Sequence, residues 1–261
     1  MTAEAGTPLV IAHVSDLHLG AHVPDAVTSV IDDVAAARPA LTVVTGDCTM
    51  RARASQFRAA RELLDRLPAP LLVVMGNHDV PLISAARLVG PYVRYRRWIE
   101  ADLDPLVRLP GLTALGLQTT PRWRWKSGRI SRRQSDDVAD LLGVGSADAV
   151  RLLALHHPPT AGGLGRIAGR GRLLRSLAAA RVDLVLAGHT HVPDSRWVDL
   201  PGTSHRLIEV VAGTATSRRT RGAGRSWTAI RVDGETVSVE ERCQAVAGWV
   251  TDRRTQYRRP T

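Results

Sequence analysis

The sequence predicts an α/β fold in which helices flank a mixed β-sheet. Short runs rich in leucine and valine alternate with longer amphipathic segments, which is typical of βαβ units and a largely parallel sheet. Towards the C-terminus such runs follow one another without helices, and the turn sequence VDGE separates two of them, which indicates an antiparallel finish. No linker rich in proline, glycine or serine divides the chain, so we expect one domain over residues 1–261.

The individual elements follow from this alternation. The first series predicts strands at residues 9–14, 41–45 and 71–75, with helices at 25–37 and 55–67. The second series predicts strands at 113–118, 150–155 and 183–187, with helices at 131–142 and 172–180. The antiparallel finish predicts strands at 206–211, 227–232 and 236–240.

Composition points to an ordinary cytoplasmic globular protein. Hydrophobic residues make up 44% of the chain and charged residues 23%. The longest apolar runs fall far short of the roughly 20 residues that a membrane-crossing helix needs, and the N-terminus lacks the pattern of a secretory signal. Cys48 and Cys243 are too few for a disulfide framework, which favours a reducing compartment.

The charge balance is strongly basic. The chain has 35 Lys and Arg residues against 25 Asp and Glu residues, a formal net charge of +10. Such a balance favours anionic partners, namely phosphate esters, nucleic acid or an acidic membrane surface. A general bias towards arginine would produce the same number, so charge alone does not choose a function.

Residues of the kinds that bind metal ions follow five of the predicted strands. In parallel sheets the carboxyl ends of the strands meet at one edge, where ligands bind. Asp16 and His18 are two residues apart, so in an extended chain both would point to the same side. Each motif alone is common, but five of them at successive strand ends of one sheet predict a metal site. The motifs are SDLHLG with Asp16 and His18, TGDCT with Asp47, MGNHDV with Asn77, His78 and Asp79, LHHPP with His156 and His157, and AGHTH with His189 and His191.

The donor types favour two divalent ions. Oxygen and imidazole donors without thiolate suit Mn, Fe or Zn, and these donors outnumber what one tetrahedral site would use. Asp47 is the candidate to bridge the two ions. Two divalent cations carry four positive charges, and Asp16, Asp47 and a hydroxide together carry three negative ones. The site would keep about one positive charge, which attracts a phosphate anion. A carboxylate in place of Asn77 would cancel that surplus.

In order and spacing, the five motifs resemble those of the calcineurin-like metallophosphoesterase superfamily over residues 16–191. Their form and the compact chain length are most similar to its bacterial branch of cyclic-nucleotide phosphodiesterases and glycerophosphodiesterases. The resemblance implies a four-layer α/β/β/α sandwich with two mixed central sheets. It also implies a ligand set, in which Asp47 is shared: Asp16, His18, Asp47 and His191 for one metal, and Asp47, Asn77, His156 and His189 for the other.

The resemblance further implies a reaction. His78 would face the substrate and either stabilise the transition state or protonate the leaving oxygen, and Asp79 would orient His78. A metal-bridging hydroxide would attack the phosphorus of a small phosphodiester, with cyclic AMP as one candidate substrate. A nuclease of the same superfamily and a non-catalytic interaction scaffold are the alternatives, and the filled ligand positions argue against the scaffold.

The sequence leaves the function of three basic segments undecided. Trp123, Arg124 and Trp125 could stack a base and hold a phosphate, or could pack at a sheet edge with their charges solvated. Arg218 could lie on a basic rim over the site or in a flexible loop. The basic tail from about residue 243 is interpreted as a solvated, frayed end, with contact to a membrane or nucleic acid as the alternative. The sequence leaves a homodimer open.

Overall fold

The computed structural model describes residues 8–260 except 145 and 147. Its strands in chain order are β1 (Leu9–Val14), β2 (Leu41–Val44), β3 (Leu71–Val73), β4 (Leu106–Leu109), β5 (Leu112–Leu117), β6 (Gly128–Arg129), β7 (Val150–Leu155), β8 (Ile167–Ala168), β9 (Leu184–His191), β10 (Asp194–Asp199), β11 (Arg206–Gly213), β12 (Ser226–Asp233), β13 (Thr236–Ala245) and β14 (Gly248–Arg258). The helices are α1 (Pro24–Ala36), α2 (Ala54–Leu64), α3 (Ala85–Val89), α4 (Val93–Trp98), α5 (Arg132–Leu142) and α6 (Arg170–Ala179). None of the described helices is both long and apolar enough to cross a membrane.

The long strands form two mixed sheets of six strands each. The first has the order β14-β13-β12-β1-β2-β3, and its β1, β2 and β3 run parallel. The second has the order β10-β11-β9-β7-β5-β4, and its β5, β7, β9 and β11 run parallel. β6 and β8 pair in a separate two-stranded sheet. Antiparallel strands complete both large sheets at their edges, as the sequence predicts for a mixed sheet.

Three hydrophobic cores separate four layers. The middle core lies between the two sheets, where Ile11, Val43 and Leu72 meet Leu152 and Leu186. One outer core packs α1 and α2 on the first sheet, and the other packs α5 and α6 on the second. Because side chains alternate along a strand, one residue set fills the middle core while its neighbours face the helices. The four-layer sandwich with two mixed sheets is therefore confirmed.

Several details differ from the sequence expectation. The metal-type motifs follow strands of two different sheets and not of one, because β1, β2 and β3 belong to the first sheet while β7 and β9 belong to the second. β9 continues to His191, four residues beyond the predicted end, so the AGHTH motif lies on the strand itself.

The expected frayed C-terminal tail is wrong. Residues Gly248–Arg258 form β14, which pairs with β13 along its whole length. Arg253 and Arg254 form ion pairs with Glu241 and Glu240 of the neighbouring strand. The guanidinium of Arg259 lies 3.1 Å from the carboxylate of Asp183, so the end of the chain is fixed on the fold.

Candidate metal centre

The predicted metal-binding residues come together where the carboxyl ends of the two sheets meet. The two sheets are joined there by hydrogen bonds: the backbone N–H of His189 donates to Asp16 Oδ2 at 3.0 Å, and the ring of His156 donates to the carbonyl of Thr45 at 2.7 Å. The candidates lie after β1, β2, β3 and β7 and at the end of β9: Asp16, His18, Asp47, Asn77, His156, His189 and His191.

Five of these residues have left-handed backbone conformations. Non-glycine residues rarely adopt positive φ, and each instance costs on the order of 1–3 kcal/mol. Such strain concentrates at functional sites, where the surrounding structure holds it in place. The expectation of an extended chain at the first motif is wrong, because both of its metal-type residues turn the backbone. The five residues are Asp16 (φ 53), His18 (φ 50), Asp47 (φ 51), His189 (φ 71) and His191 (φ 61).

The first group of donors comprises Asp16, His18, Asp47 and His191. One potential ligand atom from each lies within 4.8 Å of the other three, and all four residues are buried. The Nε2 atoms of His18 and His191 are 3.1 Å apart, and His191 Nε2 is 3.1 Å from Asp16 Oδ1. Atoms of this kind, aimed at one another in the interior, are the arrangement that a bound cation would satisfy.

The second group comprises Asn77, His156 and His189. Asn77 Oδ1 lies 3.1 Å from His156 Nε2 and 3.0 Å from His189 Nδ1, and these two nitrogens are 3.2 Å apart. One amide oxygen and two imidazole nitrogens therefore converge on a second point.

Asp47 lies between the two groups. Its Oδ2 is 3.7 Å from His18 Nε2 and 3.5 Å from His156 Nε2, while its Oδ1 accepts the backbone N–H of His78 at 2.8 Å. Asp47 therefore lies within reach of both groups, and its role as a bridging ligand stays a prediction.

Converging buried donor atoms and fixed ring orientations support the fit to metal ions. The buried Asp16 Oδ1 faces His191 Nε2 at 3.1 Å and His18 Nε2 at 3.6 Å. The Nδ1–H groups of His156 and His191 donate to the carbonyls of Thr45 and Arg219 at 2.7 and 2.5 Å, which turns each Nε2 lone pair into the site. Outer hydrogen bonds of this type orient metal-binding histidines. The donor set and its surroundings thus suit a buried dinuclear divalent site.

Two glycines make the close approach of the loops feasible. A Cβ on Gly188 would lie 1.9 Å from Ser15 Oγ and 2.6 Å from Asp16 Oδ2. A Cβ on Gly76 would lie 2.1 Å from the backbone nitrogen of Asp47. Any side chain at either position would therefore push the donor loops apart.

The pKa shifts of His189 and Asp16 favour metal binding at neutral pH, whereas burial and the Asp16 carboxylate act in opposite directions on His191 and the carboxylate prevails, which raises the pKa of that ring. Burial and the neighbouring His156 lower the pKa of His189 to about 4, so its ring is neutral. Burial by itself would raise the pKa of Asp16, but the imidazoles of His18 and His191 hold that pKa well below its usual range. Neutral imidazoles and ionised carboxylates are the forms that bind metal.

His78 and Asp79 have different partners from those expected. The predicted orientation of His78 by Asp79 is wrong: His78 Nδ1–H donates to the carbonyl of Met50 at 2.8 Å. Asp79 is buried and instead accepts the backbone N–H groups of Gly76, Cys48 and Thr49. Asp79 thereby ties the loop after β2 to the loop after β3, and its effect on His78 is indirect.

A cleft of about 300 Å³ opens beside His78 and Asn77. Basic and aromatic side chains line it together with these two residues: Arg51, Trp125, Lys126 and Arg219. Sequence reasoning missed the cations. Lys126 follows Trp125 and Arg219 follows Arg218, so both lie next to residues that the sequence had indicated. Arg51 has no such neighbour, and nothing in the sequence distinguishes it from other surface arginines.

The four predicted substrate-binding residues are dispersed. Trp125 lines the 300 Å³ cleft, and the buried Arg87 lies over its ring at 5.4 Å. Trp123 is 61% exposed and is not among the residues that line this cleft. Arg218 is exposed beside Arg219, and Arg124 lines a different cleft.

Comparisons with known proteins agree with this geometry. The sequence profile of the family described as calcineurin-like phosphoesterase matches residues 9–193. A probable cyclic nucleotide phosphodiesterase from Synechococcus sp. is 25% identical over 202 residues, which cover 70% of this chain and 73% of that protein.

Solved structures share the fold at low sequence identity. The purple acid phosphatase PPD1 from yellow lupin seeds aligns with a TM-score of 0.72 and 12% identity over 97% of this chain. The match covers 54% of that structure, so this chain spans about half of its length. A dimetal phosphatase from Danio rerio aligns with a TM-score of 0.66 and 12% identity over 97% of this chain and 99% of that one. With a family match over more than half of its residues, the chain belongs to the calcineurin-like phosphoesterase family.

Proposed function

We propose that the protein is a dinuclear metal-dependent phosphodiesterase that hydrolyses cyclic nucleotides or other small phosphodiesters. The family is one of phosphoester hydrolases. The observation that carries the proposal is the pair of donor groups sharing Asp47 beside the cleft that His78 lines. The likeness to a probable cyclic nucleotide phosphodiesterase supports the diester and the cyclic nucleotide.

In this proposal the ligands are those of the two donor groups, and the ions are Mn, Fe or Zn. Two such ions would supply Lewis-acid activation of the phosphoryl group and of water. The chain contributes binding and proton transfer. Since the Met50 carbonyl holds His78 Nδ1–H, Nε2 is the ring atom left to exchange a proton with an ester oxygen.

The size and charge of the cleft favour a small anion. Its volume of about 300 Å³ is at the lower end of the roughly 300–1,000 Å³ typical of small-molecule sites. Arg51, Lys126 and Arg219 can neutralise a phosphodiester, and the face of Trp125 can stack on a base.

A cytoplasmic location and a homodimeric state of the protein stay predictions.

A substrate panel tests the proposal. The manganese-loaded and the metal-depleted protein are assayed with cyclic AMP, bis(p-nitrophenyl) phosphate, the monoester p-nitrophenyl phosphate and a single-stranded oligonucleotide. We expect metal-dependent hydrolysis with higher kcat/KM for the small diesters. Preference for the monoester or the oligonucleotide would replace the proposal with a phosphomonoesterase or a nuclease. A fully metal-loaded protein that hydrolyses none of them would point to an interaction role.

A further inference from the structure

A second cleft, lined by three arginines, lies on the other side of the loop that carries Trp125. Its volume is about 720 Å³, and Arg124, Arg166 and Arg170 line it together with Ser127 and Gly163. Arg124 and Ser127 face this cleft, while Trp125 and Lys126, between them in sequence, face the 300 Å³ cleft. Four consecutive residues therefore separate the two clefts.

The arginine cleft adjoins the candidate metal centre. Gly163 lines the cleft, and two residues further on, a Cβ on Gly165 would lie 3.4 Å from the ring of His189. Consecutive Cα atoms are about 3.8 Å apart, so this wall of the cleft lies within a few residue lengths of a proposed metal ligand. One extended anion could reach both places.

The charges in this cleft are not neutralised by the protein. Among the described residues, no ion pair includes Arg124, Arg166 or Arg170, and no acidic side chain lines the cleft. Arginines of β13 and β14 behave differently, since Arg242, Arg253 and others have carboxylate partners. The three guanidinium groups around this cleft are therefore left to solvent or to a bound anion.

Fold stability does not explain these arginines. Like charges gathered around one cleft repel each other. Arg170 also begins α6, whose first turn has no acidic residue, and a cation there opposes the helix dipole. An anion would remove both penalties, and guanidinium groups bind phosphate oxygens in forked geometry.

We propose that this arginine cleft binds a second phosphate group of the substrate while the scissile phosphodiester lies at the metal centre. The inference rests on the proposed phosphodiesterase function and narrows its substrate class. The substrates would be small phosphodiesters that carry an additional phosphate, such as a 5′-phosphorylated dinucleotide. A cyclic mononucleotide would use the metal centre alone.

A matched pair of substrates tests the inference. The metal-loaded protein is assayed with the dinucleotide ApA and with pApA, which differs only by a 5′-phosphate. We expect a KM for pApA that is about ten-fold lower, since a hydrogen bond to a charged group is worth roughly one such factor. In the double variant Arg166→Ala/Arg170→Ala the ratio of the two KM values should fall towards one. Arg58→Ala, at an exposed position on α2, is the control and should keep the wild-type ratio.

The outcomes separate the two proposals. Hydrolysis of both dinucleotides with equal KM, or a KM ratio unchanged in the double variant, overturns the second-phosphate site and leaves the phosphodiesterase intact. If neither is hydrolysed, calorimetric titration of the same metal-loaded protein decides. Tighter binding of pApA that the double variant loses would retain the second-phosphate site, and equal binding would overturn it. Hydrolysis of cyclic AMP and bis(p-nitrophenyl) phosphate tests the phosphodiesterase separately in either case.

Discussion

Replacing His157 tests whether the metal centre holds the substrate loop in place. The loop covers residues 119–127 and includes Trp125 and Lys126. Within it, the Lys126 carbonyl accepts His157 Nε2–H at 2.9 Å, and the Thr119 hydroxyl donates to Nδ1 at 2.7 Å. The ring of His157 also packs on that of His189, with centroids 4.5 Å apart. Burial, followed by the neighbouring histidines, lowers the pKa of His157 well below its usual value, so the ring is neutral.

The cost of His157→Phe follows from these contacts. The change removes two neutral hydrogen bonds and leaves the partly buried carbonyl of Lys126 and the buried hydroxyl of Thr119 without this partner. The unsatisfied buried hydroxyl costs about 1–3 kcal/mol and the lost bond to the partly buried carbonyl about 1 kcal/mol, so the free energy of unfolding should fall by about 2–4 kcal/mol. His157→Gln places an amide N–H near the position of Nε2 and should recover roughly half of that loss by restoring the bond to Lys126.

Urea unfolding, metal analysis and kinetics provide the measurement. We expect both His157 variants to keep two metals per chain and to show a raised KM for the diester, larger for Phe than for Gln, because the loop loosens. His22→Phe is the control: His22 is partly exposed and accepts one backbone N–H, so about 1 kcal/mol or less is expected. Unchanged stability and KM in His157→Phe would refute the reasoning, and loss of a metal would show that His157 supports the donor group that contains His189.

Two further predictions concern the donor groups themselves. Asp47→Ala should lose bound metal by elemental analysis, because both donor groups share Asp47, whereas His78→Ala should retain metal and lose about 10²–10⁴-fold in turnover; equal metal loss in both would contradict these roles. Gly188→Ala should lower the free energy of unfolding by about 1–3 kcal/mol and weaken metal binding, since the added Cβ meets Ser15 Oγ at 1.9 Å. Gly162→Ala, with nothing within 4 Å of the added carbon, should change neither quantity in denaturation and metal titrations.

The local sequence pattern was sufficient to predict the buried strands but not the strands at the sheet edges. β1 and β7 begin and end at the predicted residues, because strands covered on both faces are mostly hydrophobic, with His13 and Arg151 as the polar exceptions. β14 carries the charged sequence GWVTDRRTQYR, and its stability depends on partners across the sheet, such as Glu240 and Glu241. Such pairing lies outside any local window, so the segment resembled a free tail.

At the candidate site, residue types were predictable and backbone contributions were not. Carboxylates, imidazoles and an amide at strand ends carry a chemical signal in the sequence. The carbonyls of Met50, Thr45 and Arg219, which orient three histidines, carry none, because every residue has a carbonyl. For the same reason the role of Asp79 was misjudged: its partners are backbone N–H groups, which no side-chain pattern reveals.

The fold separates the part of the site that is rigid from the part that can vary. The donor groups lie at the ends of buried strands of two sheets, where packing and strained backbone leave little freedom. The residues around both clefts lie mainly on loops, at positions such as Arg51, Lys126 and Arg166, where substitutions disturb the cores little. Changes there would alter which phosphate ester is bound without altering how metal is held. His157 joins the two parts, since it contacts the metal side through its ring and the substrate loop through its hydrogen bonds.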